Sequence, residues 1–151
     1  MFAVPPELID TPHEHDPVML REVMAAAQVA AGDRVVDGTF GRGGYARGIL
    51  AQQPDCRYLG LDRDPVAVHY GQNLSEQLAG LEVHHAAFSD METLIRQLEL
   101  DSVDVVVLDL GVSSPQIDQA DRGFSFGKDG PLDMRMDTSR GLSAADVVNA
   151  M

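Results

Sequence analysis

Residues 35 to 44 read Val35-Val36-Asp37-Gly38-Thr39-Phe40-Gly41-Arg42-Gly43-Gly44, an apolar strand that runs directly into a glycine-rich turn. A helical pattern follows from Tyr45 to Gln53, and a second strand, residues 57 to 61, ends on Asp62. Glycines let the backbone turn sharply and approach a ligand more closely than a Cβ atom permits. The order strand, glycine turn, helix, strand, acid predicts a nucleotide-cofactor site.

The acid and the turn also have the spacing expected of a ribose-binding carboxylate, since Asp62 follows Gly43 by about 20 residues. The turn alone does not choose the cofactor. Gly41-x-Gly43-x-x-Ala46 fits the dinucleotide template, and a tight strand-to-helix turn needs glycine for structural reasons as well. Both NAD-type dinucleotides and S-adenosylmethionine therefore stay open at this point.

The composition predicts a single domain with its own core. The chain has 151 residues, of which 44% are hydrophobic and 23% charged, ordinary values for a globular domain. Its net charge of −13 repels phosphate backbones at long range, so the chain alone is predicted to be a poor generic nucleic-acid binder.

Targeting and metal signals are missing from the sequence. No run of apolar residues is long enough to span a membrane and no signal peptide is visible, which predicts a cytoplasmic protein without membrane contact. Cys56 is the single cysteine, so an internal disulfide and a cysteine-cluster metal site are excluded. No other group of acids and histidines has a full ligand set at recognisable spacing, and no metal is predicted.

Strand and helix patterns alternate along the chain. Residues 1 to 16 are predicted to form an irregular arm, and a helix is predicted to begin at Pro17 with Asp16 as its cap and to end before Gly32. Further patterns predict strands at 34–37, 57–61, 81–85 and 103–108, with helices at 45–53, 65–78 and 90–98. The alternation predicts an α/β fold, a parallel sheet with helices on both faces.

Three acids follow three of the predicted strands. The strand at 103–108 is nearly continuously apolar, which is typical of the middle of a sheet, and it ends on Asp109. Ligands of open parallel sheets bind beyond the carboxyl ends of the strands. Asp37, Asp62 and Asp109 are therefore predicted to converge on one site.

The last third of the chain is rich in Gly, Ser, Asp and Pro. Residues 111 to 141 show no periodicity and are predicted to form long loops near the ligand edge. Arg122, Arg135 and Arg140 lie there, where they would meet phosphate or, more simply, pair with neighbouring acids. Ser143-Ala144-Ala145-Asp146 resembles a capping box and predicts a helix that runs to Met151. A helix and a central-type strand cut off in this way predict the first part of a longer protein.

Several long motifs resemble the RsmH (MraW) family. They are His15-x-Pro17-Val18-Met19-Leu20, the stretch 37–44, Asp62-Arg63-Asp64-Pro65, Asp109-Leu110-Gly111-Val112-Ser113-Ser114-Pro115-Gln116, Arg122-Gly123-Phe124-Ser125-Phe126 and the stretch 129–137. Members of this family are S-adenosylmethionine-dependent methyltransferases that act on the N4 amino group of a cytidine in small-subunit ribosomal RNA. The resemblance implies a Rossmann-like class I methyltransferase domain over residues 17 to 141, truncated at its C-terminal end, and the start of a helical insertion domain over 142 to 151.

The resemblance also implies roles for individual residues. The family's cofactor-binding positions correspond to Gly43, Gly44 and Tyr45 at the methionine part, Asp62 at the ribose, Phe88 against the adenine, and Asp109 and Gln116 completing the pocket. Tyr45 stands where the family usually has histidine, so only its backbone contact carries over.

A mechanism follows for the target amine. Oxygen atoms between Asp109 and Ser114 are expected to orient the cytidine amino group. Asp109 is the candidate catalytic residue, and the alternative is that its carboxylate mainly serves the cofactor. The implied partner is the RNA of the small ribosomal subunit, bound by the full-length enzyme. An inactive cofactor-binding fragment and an NAD-type oxidoreductase domain are the alternatives. Because the strand at 103–108 has no later strand to pair with, self-association of the chain is also predicted.

Overall fold

A computed structural model describes residues 17 to 150 of the chain. The helices are α1 (Leu20–Ala27), α2 (Gly44–Gln52), α3 (Pro65–Ser75), α4 (Met91–Gln97), α5 (Ser114–Asp118) and α6 (Ala144–Ala150). The strands are β1 (Arg34–Asp37), β2 (Arg57–Asp62), β3 (Leu81–His85) and β4 (Val105–Val107). Short 3-10 helices cover Phe88–Asp90 and Ala120–Arg122. The predicted arm at residues 1 to 16 lies outside the described residues.

The four strands form one parallel sheet in the order β3-β2-β1-β4. Alternate side chains of a strand point to opposite faces, and each face carries its own apolar cluster. Val35, Tyr58 and Val107 pack with α1, α2 and α3 on one face, while Val36, Leu59 and Leu61 pack with α4 on the other. The Rossmann-like α/β arrangement with helices on both faces is thereby confirmed.

Two predicted elements begin or end elsewhere. The first helix starts at Leu20 and not at Pro17, because Met19 adopts a left-handed conformation with φ 58°; its proposed cap, Asp16, lies outside the described residues. The strand predicted at 103–108 is paired only over Val105–Val107. Its partner β1 stops at Asp37, opposite Val107, so the residues beyond have no neighbouring strand to bond.

The segment predicted as loops, 111 to 141, contains the helix α5 and a 3-10 helix. The helix α5 begins with a capping box, in which the Gln116 side chain accepts a hydrogen bond from the Ser113 N–H at 2.9 Å. The predicted capping box at α6 is confirmed: Asp146 accepts from the Ser143 N–H at 2.9 Å, and the Ser143 hydroxyl accepts from the Asp146 N–H at 3.2 Å. The proposed domain boundary after residue 141 stays a prediction.

Gly43 is the position in the glycine turn where both the backbone conformation and close packing disfavour a side chain. It has φ +70°, and a Cβ atom would lie 2.7 Å from Phe40 Cζ and 2.9 Å from Leu74 Cδ2. Gly43→Ala should therefore lose about 1–2 kcal/mol of unfolding free energy to the left-handed backbone and about 1–3 kcal/mol more to overpacking.

Gly32→Ala is the matched control for this substitution. Gly32 has φ +83°, but a Cβ atom added there would have no other atom within 4 Å, so it should show the backbone loss alone. Urea denaturation of both variants measures the difference. Equal losses of unfolding free energy in the two variants would mean that Phe40 and Leu74 move aside without cost and that the tight packing at the turn is unimportant.

Candidate active site

A cleft of about 560 Å³ opens at the carboxyl ends of the strands, within the range of about 300–1,000 Å³ typical of small-molecule sites. Every strand contributes the segment that follows it. The lining includes residues 38–42, 44 and 45 after β1, 62–64 at the end of β2, 87 and 88 after β3, and 109–113, 115 and 116 after β4. Residues 17, 18, 66, 67 and 136 complete it. The glycine turn and two of the three predicted acids therefore surround one cavity.

The glycine turn and the acid after β2 are in direct contact. The Gly41 N–H donates a hydrogen bond to Asp62 Oδ2 at 2.8 Å, and the Asp64 N–H donates to Asp62 Oδ1 at 2.8 Å. Each carboxylate oxygen thus has one backbone donor. Because an ionised carboxylate has about four lone-pair positions, Asp62 keeps acceptor capacity for a ligand in the cleft.

Burial raises the pKa of Asp62 above its usual value, while the N–H donors of Asp64 and Gly41 act in the opposite sense. Two oriented oxygens with spare acceptor capacity fit the two hydroxyls of a ribose. This acid is fixed in place before any ligand binds, which reduces the entropy lost on binding.

The remaining predicted positions of the glycine turn differ in their exposure to the cleft. Gly44 and Tyr45 line it, whereas Gly43 is outside the lining and instead precedes α2 as its N-cap. The Tyr45 hydroxyl donates to the Val18 carbonyl at 2.8 Å. Burial and the nearby charge of Asp109 raise the pKa of Tyr45 to about 12, so the hydroxyl stays protonated at neutral pH.

Phe88 lines the cleft. The residue is 44% exposed and lies at the start of the 3-10 helix after β3. A large aromatic ring left open to solvent in this way is not a core residue, and it supplies a flat apolar surface for a planar base. The predicted position beside the adenine is therefore geometrically available.

Asp109 also lines the cleft, at the end of β4, and is held by its backbone. The Asp109 N–H donates to the Thr39 hydroxyl at 2.7 Å, and Asp109 Oδ2 is 3.5 Å from the Tyr45 hydroxyl. At 3.5 Å a neutral hydroxyl contributes little, particularly because the single Tyr45 proton already serves Val18. The Asp109 carboxylate therefore keeps acceptor capacity for a ligand in the cleft.

The third predicted acid does not line the cleft. Asp37 is fully buried, and its carboxylate accepts from the Tyr58 hydroxyl at 2.8 Å and from the Thr39 N–H at 2.9 Å. The Thr39 hydroxyl also accepts the Asp109 N–H. Asp37 therefore helps to hold Asp109 in position through Thr39. Convergence on the site is therefore found for Asp62 and Asp109, whereas Asp37 acts through Thr39.

Asp37 should make the protein less stable as the pH rises. Burial raises its pKa from 3.8 to about 6, although hydrogen bonds from Thr39 and Tyr58 oppose the shift. Below pH 4 the carboxyl is protonated in both the folded and unfolded states. Between pH 4 and 6 the unfolded chain loses the proton first, so this residue lowers the unfolding free energy by up to about 3 kcal/mol at pH 7.

Asp37→Asn should therefore raise the unfolding free energy at pH 7.5 and leave it nearly unchanged at pH 4. Urea denaturation at a series of pH values measures both. Asp101→Asn, at an exposed acid, should change stability by less than about 0.5 kcal/mol at every pH. Equal stability of wild type and Asp37→Asn across the whole range would contradict a costly buried charge at this position.

Gln116 is placed in the cleft lining but is already engaged by the protein. It is 5% exposed, its Oε1 accepts from the Ser113 N–H, and its Nε2 donates to Asp64 Oδ2 at 2.8 Å. Arg122 Nη1 reaches the same Asp64 oxygen at 2.9 Å. The sequence pattern Ser113-x-x-Gln116 is a visible signal for the cap at α5, but no local signal indicates the link to Asp64.

The arginines of the 111 to 141 segment all pair with acids, which confirms the simpler interpretation for them. Arg122 pairs with buried Asp64, Arg135 Nη2 with Asp133 Oδ2 at 2.7 Å, and Arg140 Nε with Asp137 Oδ2 at 2.6 Å. Although burial opposes it, hydrogen bonds from Ser139 and Arg140 lower the pKa of Asp137 to about 2.

Metal-binding clusters and membrane-spanning helices are absent from residues 17 to 150. In that part of the chain no group of three or more histidine, cysteine or acidic residues is arranged to hold a metal ion. None of the helices there combines the length and apolar character needed to cross a bilayer.

Comparisons with known proteins identify the family. The pattern of the MraW methylase family matches residues 12–151. Ribosomal RNA small subunit methyltransferase H of Paramagnetospirillum magneticum is 53% identical over 140 residues, which are 92% of this chain and 43% of that protein. The protein of the same name from Hyphomonas neptunium is 55% identical over 137 residues, 91% of this chain and 40% of the relative.

A solved structure is also similar. Coclaurine N-methyltransferase bound to N-methylheliamine and SAH has a TM-score of 0.44 and 23% identity, over 47% of this chain and 22% of that one. The present chain spans about two fifths of the length of the curated relatives that it matches. Because the family pattern covers nearly the whole sequence and the relatives are more than half identical over it, the chain belongs to the MraW methylase family.

Proposed function

We propose that this chain is the cofactor-binding part of an S-adenosylmethionine-dependent methyltransferase that modifies the N4 amino group of a cytidine in small-subunit ribosomal RNA. The observation that carries the proposal is the contact between the Gly41 N–H and Asp62 at the edge of an open cleft. Family membership and the names of the relatives support the reaction and the RNA substrate. The proposed place of action is the cytoplasm.

The residues of the cleft suit this cofactor. Asp62 has acceptor capacity for ribose hydroxyls, Phe88 offers an aromatic surface for adenine, and Gly44 forms part of the wall beside the turn. A Cβ atom at Gly44 would lie 2.2 Å from Pro17 Cγ, so this wall is already closely packed. When bound, S-adenosylmethionine supplies an electrophilic methyl group on a sulfonium.

A dinucleotide suits the cleft less well. Pyrophosphate is usually held by free N–H groups at the glycine turn and at the N-terminus of the following helix. Here the Gly41 N–H donates to Asp62, and the Gly43 N–H donates to the Phe40 carbonyl at 2.8 Å. Because these donors are engaged, few N–H groups at the turn are left to bind a pyrophosphate. The Asp62 and Asp109 carboxylates that line the cleft would also repel its negative charge.

The protein's task in methyl transfer is to position the amine and to accept hydrogen bonds from it. The N4 amino group of cytosine is a weak nucleophile, because its lone pair is delocalised into the ring. A carboxylate near the amine stabilises the positive charge that develops on it during attack. Asp109 lines the cleft and has its backbone fixed by Thr39, so it is the group that we assign to this role. A target cytidine must also leave its stack to enter the cleft.

Two binding and activity assays test the proposed function. Isothermal titration of the chain with S-adenosylmethionine should show one site, and titration with NAD should show none. The full-length enzyme should methylate small ribosomal subunits at a cytidine N4, detected by mass spectrometry of digested RNA, whereas the 151-residue chain should not. Binding of NAD in place of S-adenosylmethionine would support the oxidoreductase alternative instead.

Self-association of the chain is proposed to occur through β4. This strand pairs with β1 on one side, no strand among residues 17 to 150 pairs with its other side, and Val106 is 52% exposed. An unprotected apolar edge promotes pairing between chains, and a lysine placed there opposes it. Val106→Lys should shift sedimentation profiles toward monomer, whereas Leu142→Lys, at a 72% exposed residue outside the sheet, should not. Monomeric wild-type chain at high concentration would refute this proposal.

A further inference from the structure

A buried polar cluster forms part of the wall of the cleft. Its members are Asp64, Gln116 and Arg122, which are only 4%, 5% and 6% exposed. Arg122 Nη1 lies 2.9 Å from Asp64 Oδ2, and Gln116 Nε2 donates to that same oxygen at 2.8 Å. One carboxylate oxygen therefore joins the loop after β2 to two points in the segment that follows β4.

Asp64 connects this cluster to the ribose-binding acid. Its N–H donates to Asp62 Oδ1 at 2.8 Å, and its Oδ1 accepts the Val66 N–H at 3.0 Å, which caps α3. Asp64 therefore supplies one of the two backbone donors that orient Asp62, and its own position is fixed by α3 and by Arg122. A shift of Asp64 would turn Asp62 relative to Gly41.

Arg122 also contacts a second segment of the cleft lining. Its Nη2 donates to the carbonyls of Arg135 at 3.1 Å and Met136 at 2.9 Å, and Met136 lines the cleft. A planar guanidinium can serve a carboxylate and two carbonyls at once, whereas a lysine ammonium is a single point of charge on a flexible stem. One side chain thus links two segments of the cleft lining that are far apart in the sequence.

Stability alone does not account for this arrangement. Burying an ion pair is often no better for stability than apolar packing of the same volume. Arg122 Nε is also buried without a hydrogen-bond partner among the described residues, which carries a desolvation cost. The cluster therefore contributes little net stability, whereas its hydrogen bonds connect residues that line the cleft.

We propose that Arg122 is a positioning residue, which acts through Asp64 to hold Asp62 in the orientation that recognises the cofactor's ribose. This inference rests on the proposed function, because it takes Asp62 as the ribose acceptor. It predicts that damage to the cluster reduces selectivity for the ribose hydroxyls and does not merely weaken the fold.

The test compares two ligands on each variant of the chain. S-adenosylhomocysteine and its 2′-deoxyribose analogue are titrated by calorimetry. The dissociation constant of the deoxyribose analogue divided by that of S-adenosylhomocysteine measures how strongly the site discriminates in favour of the ribose 2′-hydroxyl. We expect a ratio of about 10 or more in wild type, as loss of one charge-assisted hydrogen bond implies. Arg122→Lys should bring the ratio below about 3, through the loss of the forked contacts.

The matched control is Arg96→Lys. Arg96 pairs with Glu92 on α4, and neither residue lines the cleft, so its ratio should equal that of wild type. Urea denaturation shows whether Arg122→Lys is folded. Asp64→Asn is the second variant, used if Arg122→Lys is not folded, and it should lower the ratio as well.

The outcomes separate the two proposals. Failure of wild-type chain to bind S-adenosylhomocysteine would refute the proposed function, and the positioning role with it. Normal wild-type binding with an unchanged ratio in folded Arg122→Lys or Asp64→Asn would overturn only the positioning role, even if both ligands bind more weakly, since an equal loss for both ligands indicates a general structural effect.

Discussion

Asp62→Asn is expected to weaken binding of S-adenosylmethionine to this chain by about 100-fold, which corresponds to about 2.7 kcal/mol. The carboxylate would accept two ribose hydroxyls, and each charge-assisted hydrogen bond contributes about 1.5–3 kcal/mol. The amide also disturbs the turn, because Gly41 and Asp64 donate to different oxygens of Asp62. Asparagine has only one acceptor oxygen, so one of these N–H groups would face an NH₂ group.

Isothermal titration measures this effect, and Asp101→Asn is its control. The control makes the same change of charge at an exposed acid outside the cleft lining, so it isolates the local role of Asp62 from the net charge of the chain. A loss of less than about threefold in Asp62→Asn would mean that the ribose is held elsewhere. The proposed function would then lose its main structural support.

The sheet can be predicted because its signals are local. The strands β1, β2 and β4 lie in short apolar runs that end at or just before an acid, and β3 alternates between apolar and polar residues. The glycines after β1 indicate a close backbone approach. Asp62 and the turn at residues 41–44 are predicted to act together, and the hydrogen bond from the Gly41 N–H to Asp62 agrees with this. The ends of parallel strands meet at one edge, so topology alone brings such residues together.

Element ends are less predictable because they depend on neighbours. The apolar run of β4 extends over residues 103 to 108, but pairing stops at Val107, opposite the last residue of β1. The helix α1 begins late because the Val18 carbonyl accepts the Tyr45 hydroxyl and Met19 is left-handed. Both effects require a partner that lies far away in the sequence.

The polar cluster of Asp64, Gln116 and Arg122 could not be predicted for the same reason. Arg122 lies in a segment without periodicity, and the sequence around its carboxylate partner, Asp64, indicates only a helix cap beside a cofactor acid. Nothing in the local pattern of either residue indicates the other. Asp37 shows the converse case, since its position at a strand end predicts a cleft residue, but Tyr58 and Thr39 engage its buried carboxylate.

Asp109→Asn in the full-length enzyme is expected to lower the turnover rate by about 100-fold at saturating cofactor, as loss of a positioned acid–base or hydrogen-bonding group typically does. Its affinity for S-adenosylmethionine should change by less than about fivefold. The Asp109 backbone is held by the Thr39 hydroxyl, so the substitution should leave the turn in place. What it removes is the negative charge that, in the proposed mechanism, accepts hydrogen bonds from the target amine.

Tyr45→Phe provides the matched comparison for this effect. It deletes the hydroxyl that lies 3.5 Å from Asp109 Oδ2 and keeps the ring, so turnover should fall less than about threefold if the carboxylate itself acts on the amine. Single-turnover methylation and calorimetric titration measure the rate and the affinity separately. Equal losses of turnover and cofactor affinity in Asp109→Asn would assign the carboxylate to cofactor binding. No loss of either would remove Asp109 from the mechanism, and the oxygens between residues 110 and 114 would then orient the amine.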